Sequence, residues 1–251
     1  MTEIDLLEEV IVTPRRAFPR LPDMQVIERP GWLQIITPAL KTGGLNEVIY
    51  SLLDERTADA AIDGAIAMYR DLGLKFRWNA GPGSGPADLG ERLERAGLAP
   101  RWGRGMARST DEGADGEAGG DVVEVEVERT LDDYTHVMAA GWSSDGEVLR
   151  ALNRHIFAER RQCLFVAYCD GEPAAAAGYV PFARSAYLIG GVVLERYRGR
   201  GLYRALVRAR LAHARARGLA LATSHAREAT SAPILEKLGF DTVCRFPMYF
   251  G

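Results

Sequence analysis

The chain has 251 residues and a formal net charge of −3, from 31 basic and 34 acidic side chains, with 47% of its residues hydrophobic and 26% charged. That balance excludes wholesale disorder, and the length suits one large domain or two of ordinary size. The slightly acidic total argues against a dedicated nucleic-acid binder, no apolar run reaches the ~18 residues of a membrane span, and the first twenty residues lack the apolar stretch of a signal peptide.

In chain order, an irregular front end leads to a strand over Glu47–Leu53 and a helix over Ala58–Leu72. A strand at Leu74–Trp78 and a helix at Ala87–Ala96 follow. The Gly81-Pro82-Gly83-Ser84-Gly85-Pro86 run between them is glycine-rich, but its prolines remove amide donors, so it reads as a structural turn. Ser109–Asp121 holds five acids and four glycines and cannot bury enough apolar surface to order itself. It therefore predicts a linker at 109–121 between domains at 1–108 and 122–251.

Beyond it come helices over Leu131–Ala140 and Asp145–Arg161 and a strand over Cys163–Cys169. Asp170-Gly171 then carries a type I′ hairpin signal. Strands over Pro173–Pro181 and Ala186–Leu194 lead into a loop at Glu195–Gly201 and a helix over Leu202–Arg217. A strand at Leu219–Thr223, a short helix near Ala232–Leu238 and a strand near Thr242–Tyr249 close the chain. This is an α+β pattern, a mostly antiparallel mixed sheet flanked by helices and ending in a β-loop-α-β crossover. Cys163, Cys169 and Cys244 show no CxxC spacing, which predicts a reducing, cytoplasmic setting and no metal site.

The two halves read as a diverged repeat. AMYRDLGL (67–74) matches AHARARGL (212–219) at an offset of 145, and LERAGL (93–98) matches LEKLGF (235–240) at 142. Gly73 and Gly218 stand where a left-handed helix cap is expected.

The chemistry concentrates in Arg196–Gly201, Arg-Tyr-Arg-Gly-Arg-Gly, between an apolar strand and a helix. Gly199 and Gly201 let the backbone turn and approach a ligand, and the helix start presents amides and a positive dipole end to an anion such as a pyrophosphate. Eight arginines and no acid lie between Arg196 and Arg217. At the 145-residue offset the other half reads SLLDER (51–56), without glycine and with Asp54 and Glu55.

VVLERYRGRGLYRAL resembles the acetyl-CoA signature of the GNAT acetyltransferase superfamily, with Arg196, Gly199 and Gly201 at its fixed positions. SAPILEKLGF is similar to that superfamily's later segment, which ends in a Leu-Gly-Phe turn, here Leu238-Gly239-Phe240. The resemblance covers 122–251, and the first half resembles a degenerate second copy. It implies a tandem arrangement with one acetyl-CoA site. Val192, Val193 and Leu194 would hold the pantetheine arm. Arg196 and the amides of Arg198, Gly199, Arg200, Gly201, Leu202 and Tyr203 would hold the pyrophosphate. The strand at 219–223 would splay from its neighbour to admit thioester and acceptor.

The sequence departs from the family at Leu235, where many members carry a tyrosine that protonates the leaving thiolate, and at Glu228, where asparagine is common. Candidates for the missing proton chemistry are His225 as general base, Ser224 as donor to the carbonyl or sulfur, and Tyr179, with Tyr187 and Tyr249 behind them. Trp142, His155 and Phe157 are candidates for the acceptor pocket or for the core. The expected activity is transfer of an acetyl or other small acyl group from acyl-CoA to an amine of a small molecule or peptide, without membrane or nucleic-acid partners. A non-transferring acyl-CoA enzyme resembling malonyl-CoA decarboxylase, or a pseudoenzyme binding CoA or nucleic acid, are the alternatives.

Overall fold

A computed structural model describes residues 6–41, 44–111 and 121–251. A helical N-terminal segment, a π-helical turn at Glu8–Val12 running into Thr13–Arg16, precedes β1 (Gln25–Arg29), β2 (Trp32–Ile36) and β3 (Glu47–Ile49). Then come α1 (Ala58–Asp71), β4 (Arg77–Asn79), α2 (Leu89–Arg95) and β5 (Ala99–Ser109). After β6 (Asp121–Glu124) follow α3 (Glu128–Trp142), α4 (Gly146–Glu159), β7 (Cys163–Cys169), β8 (Glu172–Pro181) and β9 (Ser185–Val193). A 3₁₀ turn at Glu195–Tyr197 leads to α5 (Leu202–Ala216), β10 (Leu221–Arg227), α6 (Ser231–Glu236) and β11 (Asp241–Phe250). The α+β class with a mixed sheet is as expected; of the 109–121 segment, residues 112–120 lie outside the described ones.

The chain divides into two compact units whose limits differ from 1–108 and 122–251. The first unit combines Arg20–Arg104 with Cys244–Gly251; the second combines the described residues among 1–19 and 105–243. Sequence reading places both termini with their own halves because pairing between distant strands leaves no local signal.

In the first unit β1, β2 and β3 are antiparallel neighbours, β3 runs parallel to β4 across the α1 crossover, and β11 lies antiparallel on β4. The register sets Tyr249 opposite Trp78 and Phe250 opposite Arg77. Trp78, Tyr69, Leu93 and Tyr249 share one core, and Trp78 donates from Nε1 to Ser51 Oγ at 2.6 Å. The expected strand at 47–53 stops at Ile49, because Tyr50 takes a left-handed φ of 55°. Leu52 and Leu53 then bond out of the ladder, to Gly31 and Gly85. The latter bond gives the Gly-Pro run its structural role. The strand expected at 74–78 forms at Arg77–Asn79, since Leu74 still bonds back to Tyr69 in the helix cap.

In the second unit β6, β7, β8 and β9 form an antiparallel meander, and β9 pairs in parallel with β10 across the α5 crossover. Asp170 and Gly171 take φ values of 55° and 80°, the two left-handed residues that a type I′ hairpin requires. The apolar rows of β7 to β9 pack Phe165, Ala177, Tyr179 and Leu188 against Leu206, Val207 and Leu211 of α5. The opposite face buries Leu164, Ala176 and Val192 against Leu131, Tyr134 and Val137 of α3.

The glycine caps behave as the sequence says. Gly73 and Gly218 are left-handed, and Leu74 and Leu219 bond back to Tyr69 and Ala214. Gly97 and Gly239 repeat the pattern, with Leu98 bonded to Leu93 and Phe240 to Leu235.

Candidate active site

β9 ends in a segment built to approach an anion. Tyr197 is buried in the core and anchors the 3₁₀ turn, while Arg198, Gly199, Arg200 and Gly201 are exposed. Gly199 and Gly201 both have φ of 80°, and a Cβ on either would meet no protein atom within 4 Å. The space over these glycines is therefore open to a ligand. Gly201 is the N-cap of α5, no side chain caps that helix, and its first turn holds no acid. The first-turn amides and the positive dipole end thus face outward.

The side chains of this loop are less available than its backbone. Arg200 donates to Asp170 Oδ2 at 3.0 Å and to Cys169 Sγ at 3.2 Å, and the Arg196 guanidinium sits 4.8 Å from the Tyr197 ring centroid. The arginine run is not a continuous cationic stripe either. Arg210 is 2% exposed, and Arg217 donates to Cys163 Sγ. A helix whose arginines are partly buried or engaged is a poor track for a nucleic-acid backbone.

Beside the loop, β9 breaks its ladder on both edges. Against β8, the register passes from Ala176↔Val192 to Gly178↔Ile189, so Gly190 and Gly191 oppose the single residue Ala177. Gly190 adopts φ of 66°, and a Cβ on Gly191 would lie 2.7 Å from the Tyr203 ring of α5, so this bulge needs both glycines. Against β10, pairing ends at Leu188↔Ser224, although β9 continues to Val193 and β10 to Arg227. Past that point the two strands no longer pair. The splay expected near 219–223 therefore opens just after Ser224.

Arg210 holds this region from the helix side. It donates from Nη1 to Gly178 O at 3.0 Å and Ile189 O at 3.4 Å, and from Nε to Leu206 O at 2.9 Å. Gly178 and Ile189 are the register pair beside the bulge, so the buried guanidinium ties α5 to both strands at that point. Burial pushes the Arg210 pKa down. Arg210→Ala removes the buried bonds from α5 to Gly178 O and Ile189 O and leaves a cavity, and is expected to destabilise the fold by about 2–5 kcal/mol. A urea midpoint equal to that of the parent chain would refute this role.

The candidate proton-transfer residues fall in different places. His225 lies on the splayed end of β10, but both ring nitrogens are in use. Nε2 stands 2.7 Å from the Val10 carbonyl, which makes it the protonated nitrogen, and Nδ1 accepts from Arg15 at 3.0 Å with the Tyr187 hydroxyl 3.2 Å away. With its lone pair taken, His225 is not the free base the sequence suggested; it clamps the N-terminal segment onto β10. Ser224 donates to Leu188 O at 3.2 Å, its partner in the last β9–β10 pair before the strands part.

Tyr179 is fully buried on the α5 side, with its hydroxyl 2.7 Å from His213 Nδ1. It does not face the splay, because it lies on the opposite side of the sheet from Tyr187. Tyr249 is a core residue of the first unit, and Leu235 is 1% exposed in the core of the second. Trp142 is 43% exposed at the end of α3, whereas Phe157 packs onto the Leu131–Tyr134–Val137 core.

Sequence reasoning missed the N-terminal segment altogether. Glu9, 2% exposed, receives Arg184 at 2.9 Å and Ser185 Oγ at 2.6 Å, and Phe18 packs onto Val180, Phe182 and Tyr187. It also missed Thr223, whose buried hydroxyl has no partner among the described residues. An acid followed by apolar residues at 8–12 was the available signal for a packed helix, but nothing local names its partner strand.

The matching place in the first unit is the turn between β3 and α1. There Asp54 accepts from two amides of the turn, Oδ1 from Arg56 N at 2.9 Å and O from Thr57 N at 3.1 Å. A carboxylate in that position repels a phosphate.

Residues 127–240 match the model of the "Acetyltransferase (GNAT) family". No curated protein sequence matches the chain. Solved structures match it over nearly its whole length. A functionally unknown conserved protein from Staphylococcus epidermidis ATCC 12228 is 14% identical with TM-score 0.69, covering 92% of this chain and 94% of its own. A tandem GNAT protein from the clavulanic acid biosynthesis pathway is 15% identical with TM-score 0.61, covering 99% and 93%. A GCN5-related N-acetyltransferase from Kribbella flavida is 13% identical with TM-score 0.64, covering 91% and 89%. At these identities the likeness is one of fold.

Proposed function

With residues 127–240 a domain of the GNAT acetyltransferase family, we propose that the chain is an acyl-CoA-dependent N-acyltransferase with one acyl-CoA site, in the second unit. The observation that carries this reading is the pair of open left-handed glycines leading into the uncapped start of α5, beside a strand that has lost its β10 neighbour. The amides of Arg198 to Tyr203 bind the pyrophosphate, with Arg196 adding charge. The backbone of Val192, Val193 and Leu194 binds the extended pantetheine arm, and the acyl thioester lies in the opening past Leu188.

The acceptor is an amine of a small molecule or peptide. Its nitrogen attacks the thioester carbonyl, the C–N bond forms, the C–S bond breaks, and one amine proton is lost as the thiolate gains one. Leu235 has no proton to give, and His225 has none to spare. We therefore assign both transfers to water in the splay, with Arg210, Ser224 and His225 fixing its walls. Holding amine and thioester together supplies much of the acceleration.

The first unit is the degenerate copy of the same fold, supported by its matching crossover and glycine caps, and Asp54 bars acyl-CoA from it. Incubating the full chain with short acyl-CoAs and a panel of primary amines tests the whole reading, with amine-dependent thiol release as readout. Saturable release with at least one amine is expected. Release that no amine accelerates above buffer would overturn it.

A further inference from the structure

We propose that Glu124, Cys163 and His213 of the second unit form a binding site for a borderline-soft divalent cation of the zinc type, away from the acyl-CoA loop. Their ligand atoms all lie within 4.8 Å of one another. The three residues come from three elements, the end of β6, the start of β7 and the last turn of α5. Tetrahedral zinc with bonds of about 2.0–2.3 Å sets ligand atoms about 3.4 Å apart. His213 Nε2 and Glu124 Oε2 already stand at 3.1 Å, so the remaining closure is a rotamer-scale movement of the sulfur.

The donor set is one thiolate, one imidazole and one carboxylate, which selects zinc or cobalt over calcium and magnesium. A second observation points the same way. Tyr179, fully buried, holds His213 Nδ1 at 2.7 Å, and Nδ1–H donation to that hydroxyl presents Nε2 as the metal-facing nitrogen. Metal-bound histidines characteristically have such an outer partner, which fixes tautomer and ring plane. Glu124 and His213 side chains are 32% and 25% exposed, which gives the ion an entry and a water as fourth ligand. The C-terminal end of α5 adds a negative dipole end.

One group competes. The exposed Arg217 donates from Nη1 to Cys163 Sγ at 3.4 Å and must swing aside on its flexible stem. Binding is then an exchange: the Cys163 thiol gives up its proton to solvent and the sulfur takes the cation. The ion would tie edge strand β6 to α5 and stiffen the unit around the arginine-rich helix. The sequence gives no warning of this, since the ligands stand 39 and 50 residues apart with no metal spacing.

The test is a cobalt(II) titration of the reduced full chain, read by the thiolate-to-cobalt charge-transfer band. A saturable band with one equivalent is expected, bleached by zinc. It should survive Cys169→Ser and Cys244→Ser and disappear in Cys163→Ser. His213→Gln should abolish it as well, which keeps the test valid should the buried cysteine variant fold poorly. Tyr179→Phe should keep the band but weaken affinity by about 10–100-fold. No band at saturating cobalt, or a band that persists in both Cys163→Ser and His213→Gln, would overturn the site and leave the cluster a hydrogen-bonded relay.

Discussion

Replacing Gly201 with Val is expected to abolish measurable acyl-CoA binding while the chain stays folded. Gly201 holds φ of 80°, and its missing Cβ points into open space. The cost to the fold is therefore confined to the backbone, about 1–2 kcal/mol for a left-handed residue and somewhat more for a β-branched one. The cost to the ligand is larger. The valine methyls occupy the volume through which a pyrophosphate reaches the first-turn amides of α5. Charge-assisted hydrogen bonds contribute about 1.5–3 kcal/mol each, so losing two of them lowers affinity by at least about 100-fold. Gly201→Ala keeps more of that volume open and should fall between the two. Calorimetry on the folded valine variant decides the matter: an unchanged CoA affinity would remove the loop from the site.

That loop could be read from sequence because its logic is local. Two glycines between a strand and a helix require no knowledge of the rest of the fold, and the same holds for the Asp170-Gly171 hairpin and the glycine caps at Gly73 and Gly218. The features that escaped are those made by partners far apart in the chain. Val10 and Arg15 reach His225 across more than 200 residues, and so a histidine at a strand end looks free in the sequence and is fully engaged in the fold. Arg210 reads as one more exposed arginine of a basic helix, yet it is buried and bonds carbonyls of two other strands beside a bulge. Tyr50 broke the reading of β3 for a different reason. A left-handed tyrosine is rare enough that no propensity argument would propose it.

Removing Cys244–Gly251 is expected to unfold the first unit, although these residues follow the whole of the second in the chain. Within that unit Met248, Tyr249 and Phe250 pair with Asn79, Trp78 and Arg77, and Gly251 and Phe76 exchange backbone bonds at 3.3 and 3.4 Å. Tyr249 is 6% exposed in the core with Trp78 and Leu93, and its hydroxyl lies so close to Gly90 that any Cβ there would collide. Loss of such an aromatic alone costs about 3–5 kcal/mol, and each ladder bond adds about 0.5–1.5 kcal/mol. Against a domain stability of about 5–15 kcal/mol, the sum is enough to melt a unit of this size. Hydrogen exchange on the truncated chain should show Arg77–Asn79 losing protection while β7 and β8 keep theirs. Tyr249→Ala should give a partial version of the same pattern. Full protection of β4 after truncation would show that β11 only covers a sheet stable without it. The same reasoning predicts that residues 1–108 alone do not fold, because the strand that completes their sheet is supplied by the opposite end of the chain.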